Sequence, residues 1–279
     1  MISKNLAQRL TVAAIAIPAI LFMIFKGGDL FLYFVLLLSI IGIYEYLRAL
    51  KISFVSPFFI LPFCGAIGAV FLSMRGYSEY SYYCLLGVFL LVGILLATGK
   101  EPIKDLFFKN IYILWGTFYI GLLFPFVYLI RGDAIYMQNA SGGWWVFYMM
   151  SSLWVCDSCA MFFGSQFGKH QLAPTVSPNK TIEGFIGGFF GAAIIAAIFK
   201  IFWLPEVAWY HFGILVILIG AFGQLGDLVE SLWKRAIGIK DSSAIIPGHG
   251  GVLDRFDSLL FASPVVYLYL KYIIHANWL

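Results

Sequence analysis

Charge is what this 279-residue sequence has least of. Asp, Glu, Lys and Arg together make up 11% of it, where a soluble domain carries about 25%. So few charges cannot cover a water-soluble core. They also exclude a disordered chain, a solenoid with a polar skin and a coiled coil. Cysteine is scarce too. The four cysteines, at 64, 84, 156 and 159, lie in apolar stretches and form no extracellular disulfide framework. An excess of one sign is missing as well. The net charge is +4, and the basic residues are spread through short loops, so there is no nucleic-acid footprint. What is plentiful is apolar: 62% of residues are hydrophobic and the mean hydropathy is +0.92. Such a chain dissolves in lipid.

The apolar runs predict an all-α integral membrane protein of about nine transmembrane helices. They fall near 9–25, 29–48, 54–74, 82–98, 109–131, 143–164, 182–203, 211–233 and 257–275. Each approaches the length needed to cross a hydrocarbon core of ~30 Å, the first and fourth being short. Lys4 and Arg9 precede the first run and no small-residue cleavage site follows it, which predicts an uncleaved span. An odd count puts the termini on opposite sides. Assigning every Lys and Arg to the nearer span end gives 13 on the side of the N-terminus and 5 on the other. That bias predicts a cytoplasmic N-terminus, with loops 165–181 and 234–256 facing the cytoplasm. No linker or repeat divides the chain. It reads as one membrane domain, 1–279. Residues 1–142 are scaffold spans, almost featureless over the first hundred. Residues 143–279 hold nearly all the unusual polar groups and form the catalytic part.

Acids inside spans are expensive and usually functional. Three stand out: Asp157 in the sixth run, and Asp227 and Glu230 in the eighth. Asp227, Glu230, Ser231 and Lys234 are spaced i, i+3, i+4, i+7 and share one helical face, with Arg235 beside it. A bland alternative is a helix leaving the membrane with Glu230 and Lys234 paired at its end; Asp227 sits deeper, with no such local partner. The loop that follows runs from Lys240-Asp241 to Gly248-His249-Gly250-Gly251 and on to Asp254-Arg255-Phe256-Asp257. Its glycines permit positive φ and close approach of amides to an anion. Lys240 and Arg255 add cations. Taken with the nearby acids, this reads as a magnesium–phosphate site, since magnesium takes one or two carboxylates and fills its shell with phosphate and water. His249 either binds phosphate or orders the turn.

An earlier segment, Ser177-Pro178-Asn179-Lys180-Thr181-Ile182-Glu183-Gly184, has Ser177 as a candidate helix cap and Lys180 as a phosphate ligand. Its alternative is an ordinary helix start with an interfacial lysine. Cys156 and Cys159 have C-x-x-C spacing but no second ligand pair, so zinc or redox use is discounted. His170 and His211 read as interfacial, and His275 is near the C-terminus; all three read as structural. Gly184 with Gly188, and Gly187 with Gly191, predict close helix packing within the chain or in a dimer.

Ser231 to Asp257 resembles the signature of the phosphatidate cytidylyltransferase (CDP-diacylglycerol synthase) family: S-x-x-K-R, four residues, K-D, then H-G-G-x-x-D-R-x-D. Every spacing is kept. Trp233 departs from the aliphatic residue or Phe more usual there. Ser177 to Gly184 resembles the family's S-P-x-K-T-x-E-G segment, and Asp157 with Gly164 and Phe167-Gly168-Lys169 its acidic sixth span. The resemblance implies that CTP and phosphatidic acid give CDP-diacylglycerol and pyrophosphate with magnesium, for phospholipid biosynthesis. It implies a helical homodimer in the cell inner membrane, with a site open to cytoplasm and lipid. Asp227 and Asp254 would hold the metal, with potassium a candidate second cation. Lys234, Arg235, Lys240 and Arg255 would neutralise phosphate oxygens. Ser177 and Lys180 would hold a phosphate, Gly248, Gly250 and Gly251 would bring amides to the nucleotide, and Asp157, Glu230 and Ser231 would complete the cavity. Two other classes keep the intramembrane acids meaningful. One is an ion-coupled transporter, which the missing inverted repeat disfavours. The other is a CTP-dependent lipid-alcohol kinase, which would release CDP.

Overall fold

The computed structural model describes residues 4–100, 102–132, 142–246, 248 and 250–274, with side chains in the first helix from Thr11 onward. Among them the chain forms α1 (Lys4–Lys26), α2 (Gly28–Ala49), α3 (Pro57–Met74), α4 (Ser78–Ala97), α5 (Ile103–Arg131), α6 (Gly142–Phe167), β1 (Gln171–Ala173), β2 (Ser177–Thr181), α7 (Ile182–Phe202), α8 (Trp209–Ala236) and α9 (Leu253–Tyr269). A π-helical turn, Leu270–Ile274, extends α9. The protein is an all-α integral membrane protein, because only helices satisfy their own backbone groups in lipid. From α2 onward the eight helices are long and apolar enough to cross a membrane; the described apolar stretch of α1, Thr11–Lys26, is shorter.

Local chemistry starts these helices. Ser56 accepts from the Phe58 amide at 3.2 Å and Pro57 follows it at the first helical position of α3. At α7 the cap is Thr181, whose Oγ1 accepts from the Gly184 amide at 3.1 Å. The candidate cap Ser177 instead lies in a β-hairpin, opposite Ala173, with Gln171 paired to Thr181. Extended backbone at Ser177, which Pro178 favours, continues here through Thr181 as a strand paired to β1, so the helix starts only after Thr181.

Close packing ties α6 to α7. A Cβ on Gly184 would lie 2.7 Å from the Ala160 carbonyl oxygen, and one on Gly191 2.6 Å from that of Val155 and 2.9 Å from Cys159 Sγ. The glycine pairs therefore serve contact within the chain. The C-x-x-C cysteines pack against them, and all four cysteines are free thiols.

Trp233 is buried, its ring 4.8 Å from that of Tyr46, whose hydroxyl donates to the Tyr112 carbonyl at 2.7 Å. The aromatic departure from the signature thus packs α8 onto α2 behind the polar face. His211 stands near the start of α8 and has a structural role. It is buried and its Nδ1 lies 2.8 Å from Tyr269 Oη. His170 is exposed, with Nδ1 2.6 Å from Glu183 Oε1. His275 lies outside the described residues.

Candidate active site

A cavity of about 1020 Å³ opens where the C-terminal halves of α6 and α8 meet the N-terminal ends of α7 and α9 and the middle of α1. Asp157, Lys180, Asp227, Lys234, Asp254 and Arg255 line it. Four segments distant in sequence therefore converge on one space.

Two lysine–carboxylate pairs organise its polar wall. Lys180 Nζ, on β2, reaches Asp227 Oδ2, on α8, at 2.7 Å. Asp227 lacks an acid–base partner on its own helix, as its depth suggested, but finds one across the hairpin. Ser231 Oγ, one turn on, donates to Asp227 Oδ1 at 3.3 Å. Lys234 Nζ is 2.7 Å from Asp254 Oδ1 and 3.5 Å from Glu230 Oε1. The pairing of Lys234 with Glu230 at a helix end is thus the weaker of its two contacts. Glu230 is fully buried, and neither of its oxygens accepts a hydrogen bond from the described residues. Charge-assisted pairs in a low-dielectric wall are stronger than the same pairs in water.

The glycine turn fixes Asp254 instead of presenting every amide to a ligand. The amides of Gly251 and Ser242 reach Asp254 Oδ2 at 2.8 and 2.9 Å, and Ser242 Oγ donates to the same oxygen at 2.9 Å. Gly250 has φ +83°, which a residue with a Cβ rarely adopts, and accepts from the Ile246 amide at 2.9 Å. A Cβ on Gly251 would collide with Ser242 Oγ and come within 2.8 Å of Glu45 Oε2. Gly248 also has positive φ, +75°, at the exposed tip. His249 lies outside the described residues.

Glu45 was hidden among spans that read as featureless. It is buried in α2, and the amides of Val252 and Leu253 each donate to it at 3.0 Å. Ser243 Oγ and Ser242 Oγ also donate to it. One carboxylate therefore neutralises the start of α9 and holds both ends of the glycine loop. The available signal was an acid within an apolar run. Its nearness to Arg48 and to the span end masked it.

Other expected residues lie away from the cavity wall. Arg235 is exposed, and its Nη1 donates to the Ile239 carbonyl at 3.1 Å. Lys240 is exposed beyond the same turn, and Ser177 lies at the far end of β2.

The donor set fits magnesium. Asp227 and Asp254 face one cavity, with Asp157 in the same wall and the buried Glu230 carboxylate beside Lys234. No cluster of three or more metal-type side chains stands among the described residues, and none is required for an ion that completes its shell with phosphate and water. The wall as a whole can do one thing well: hold several phosphate oxygens beside one or two carboxylates.

A model of the cytidylyltransferase family matches residues 7–273. A phosphatidate cytidylyltransferase of Bacillus subtilis is 36% identical over 274 residues, which cover 95% of this chain and 98% of the relative. One from Staphylococcus saprophyticus is 34% identical, over 92% of this chain and 96% of its own. One from Staphylococcus aureus is 36% identical over the same shares.

Proposed function

This chain belongs to the cytidylyltransferase family, and we propose that it transfers the cytidylyl group of CTP to phosphatidic acid, giving CDP-diacylglycerol and pyrophosphate for phospholipid synthesis. One observation carries the reading. Two lysine–carboxylate pairs and Arg255 share a cavity with an apolar stripe from α1 and α6. A phosphorylated lipid and a nucleotide triphosphate need both chemistries in one place.

The reaction needs no protein nucleophile. An oxygen of the lipid phosphate attacks the α-phosphorus of CTP, the bond from that phosphorus to the bridging oxygen breaks, and pyrophosphate leaves with the electron pair. The difficulty is bringing two polyanions together, so catalysis is mainly positioning and charge neutralisation. Lys180 and Lys234 are held by acids until phosphate oxygens compete for them. Arg255, which faces the same cavity, supplies a forked donor. Asp227 and Asp254 would hold magnesium, which supplies charge neutralisation at the α-phosphate and the leaving group. Potassium is the candidate second cation beside the same acids. Ser231 orients Asp227; Asp157 and Glu230 add negative charge that favours cations. Exposed Arg235 and Lys240 draw CTP toward the mouth by long-range attraction. Ser177 and the Gly248–Gly251 turn shape the two loops that carry Lys180 and Asp254. The protein works in the cell inner membrane as a homodimer, with this mouth on the cytoplasmic side.

Protein purified in detergent is incubated with magnesium, phosphatidic acid and CTP labelled at the α-phosphate. Label is expected in the extracted lipid, with pyrophosphate released. Asp227→Asn should lower the rate roughly a hundredfold or more, the scale of losing a transition-state charge contact, while the variant still elutes as folded protein. Unlabelled lipid from folded wild-type protein would reject the reading, and CDP released together with phosphatidic acid when diacylglycerol is the lipid supplied would turn it into a lipid-alcohol kinase.

A further inference from the structure

Opposite the polar wall, the cavity is hydrocarbon. On α1, Val12, Ala13, Ala16, Ile17 and Ile20 line it. Their spacing of one, three or four residues makes a single helical face. On α6, Met150, Leu153, Trp154 and Met161 face them at similar spacing. Between these two stripes runs a cleft. Its rim is open: Ile17 is 41%, Trp154 39% and Met161 74% exposed, the last two on α6, which is long and apolar enough to cross a membrane. Ala13 and Ala16 leave its middle wide.

The cleft has a direction. On α6 the lining runs from Met150 through Asp157 to Ser165, toward the end of the helix that leads into the hairpin carrying Lys180. Ile20 and Met150 sit at the other end, where they also wall a small apolar void of about 10 Å³ with Leu259. From Val12 to Ile20 the helix rises about 12 Å. A nucleotide has no use for a long hydrocarbon slot that opens into the bilayer. A phosphate ester of diacylglycerol does, because its phosphate and its chains are covalently joined.

We propose that the cleft between α1 and α6 seats the acyl chains of phosphatidic acid, with Ala13 and Ala16 setting its width. This rests on the cytidylyltransferase reading. The phosphate sits at Lys180 and Arg255, and the chains run along the α1 stripe toward Ile20 and Met150. A chain already in lipid gains no hydrophobic transfer energy in the cleft; what it gains is van der Waals contact with the walls, which grows with chain length, so the site prefers long chains over short ones.

The test compares dihexanoyl, didecanoyl and dioleoyl phosphatidic acid as substrates for wild type, Ala16→Trp and Leu90→Trp. Leu90 lies on the exposed face of α4 and is the control. Ala16→Trp should raise KM for the dioleoyl substrate about tenfold, which corresponds to about 1.4 kcal/mol of lost contact with the cleft walls. KM for CTP and turnover of the dihexanoyl substrate should stay within about twofold, and Leu90→Trp should change neither. Ala16→Leu, which keeps helix propensity, should shift the same preference by a smaller amount. Wild type with no labelled lipid at any chain length would sink the cytidylyltransferase reading itself. Active wild type with an unchanged chain-length profile in Ala16→Trp would overturn only the cleft, leaving bulk lipid as its occupant. Equal loss on all three substrates in both Ala16 variants would overturn it too, assigning α1 a purely structural role.

Discussion

At the scale of the residue, Glu45 governs more of the site than its place in the chain suggests. Burying a carboxylate is unfavourable unless donors replace its water. Here two amides and two hydroxyls do so, all from the segment that also carries Asp254. Glu45→Gln keeps the volume but turns an NH2 group toward donors. The loop should then loosen, and Asp254 should lose its fixed orientation toward Lys234. The expected result is a fall in kcat of about 10- to 100-fold, the range for losing the support of a ligand carboxylate. KM for CTP should move much less, and Glu45→Asp should restore part of the rate. A fall in thermal stability without the split between kcat and KM would make Glu45 a packing residue only. Asp227, Lys234 and Asp254 were legible because local spacing and a 27-residue signature carry them. The partners of these groups were not. Lys180 meets Asp227, and Glu45 meets Val252, across distances in sequence that no periodicity records.

At the scale of the element, α6 and α7 place the two halves of the polar wall. Asp157 rides on α6, and Lys180 enters from the hairpin that joins the helices. Their separation is set by glycine. Gly191→Leu would drive a side chain into the Val155 carbonyl and Cys159, forcing the helices apart. Overpacking of this kind costs about 1–3 kcal/mol, and the unfolding temperature in detergent should fall accordingly, together with turnover. Gly93 on α4 has open space around it. Gly93→Leu should therefore leave both readouts near wild type, and equal effects from the two substitutions would refute the packing argument. The spans themselves were legible to within a few residues, since apolar length is a strong signal. The hairpin was not. Strands of three and five residues leave too little alternation to read, and Thr181, rather than the more obvious Ser177, caps the helix.

For the whole molecule, the site's position and the distribution of charge make the same argument. The end of α2, the end of α6, the start of α7, the end of α8 and the start of α9 all surround or support the polar wall. Helices that alternate in direction bring those ends together when each one crosses, and from α2 onward all eight are long and apolar enough to do so. The same ends carry most of the Lys and Arg, which in a membrane protein mark the cytoplasmic side. On the proposed reading the mouth faces the compartment that holds nucleotide, since CTP is a polyanion that cannot cross the hydrocarbon. Single cysteines placed in a version freed of its four native ones separate the two sides. Lys240→Cys reports the loop beside the site, and Glu206→Cys the exposed turn between α7 and α8. In intact cells stripped of any outer envelope, a membrane-impermeant maleimide should label Glu206→Cys at once and Lys240→Cys only after permeabilisation. The reverse pattern would place the cavity outside. Labelling of both before permeabilisation would mean that α8 does not cross, and the convergence of Asp227 with Lys180 would then need another topology.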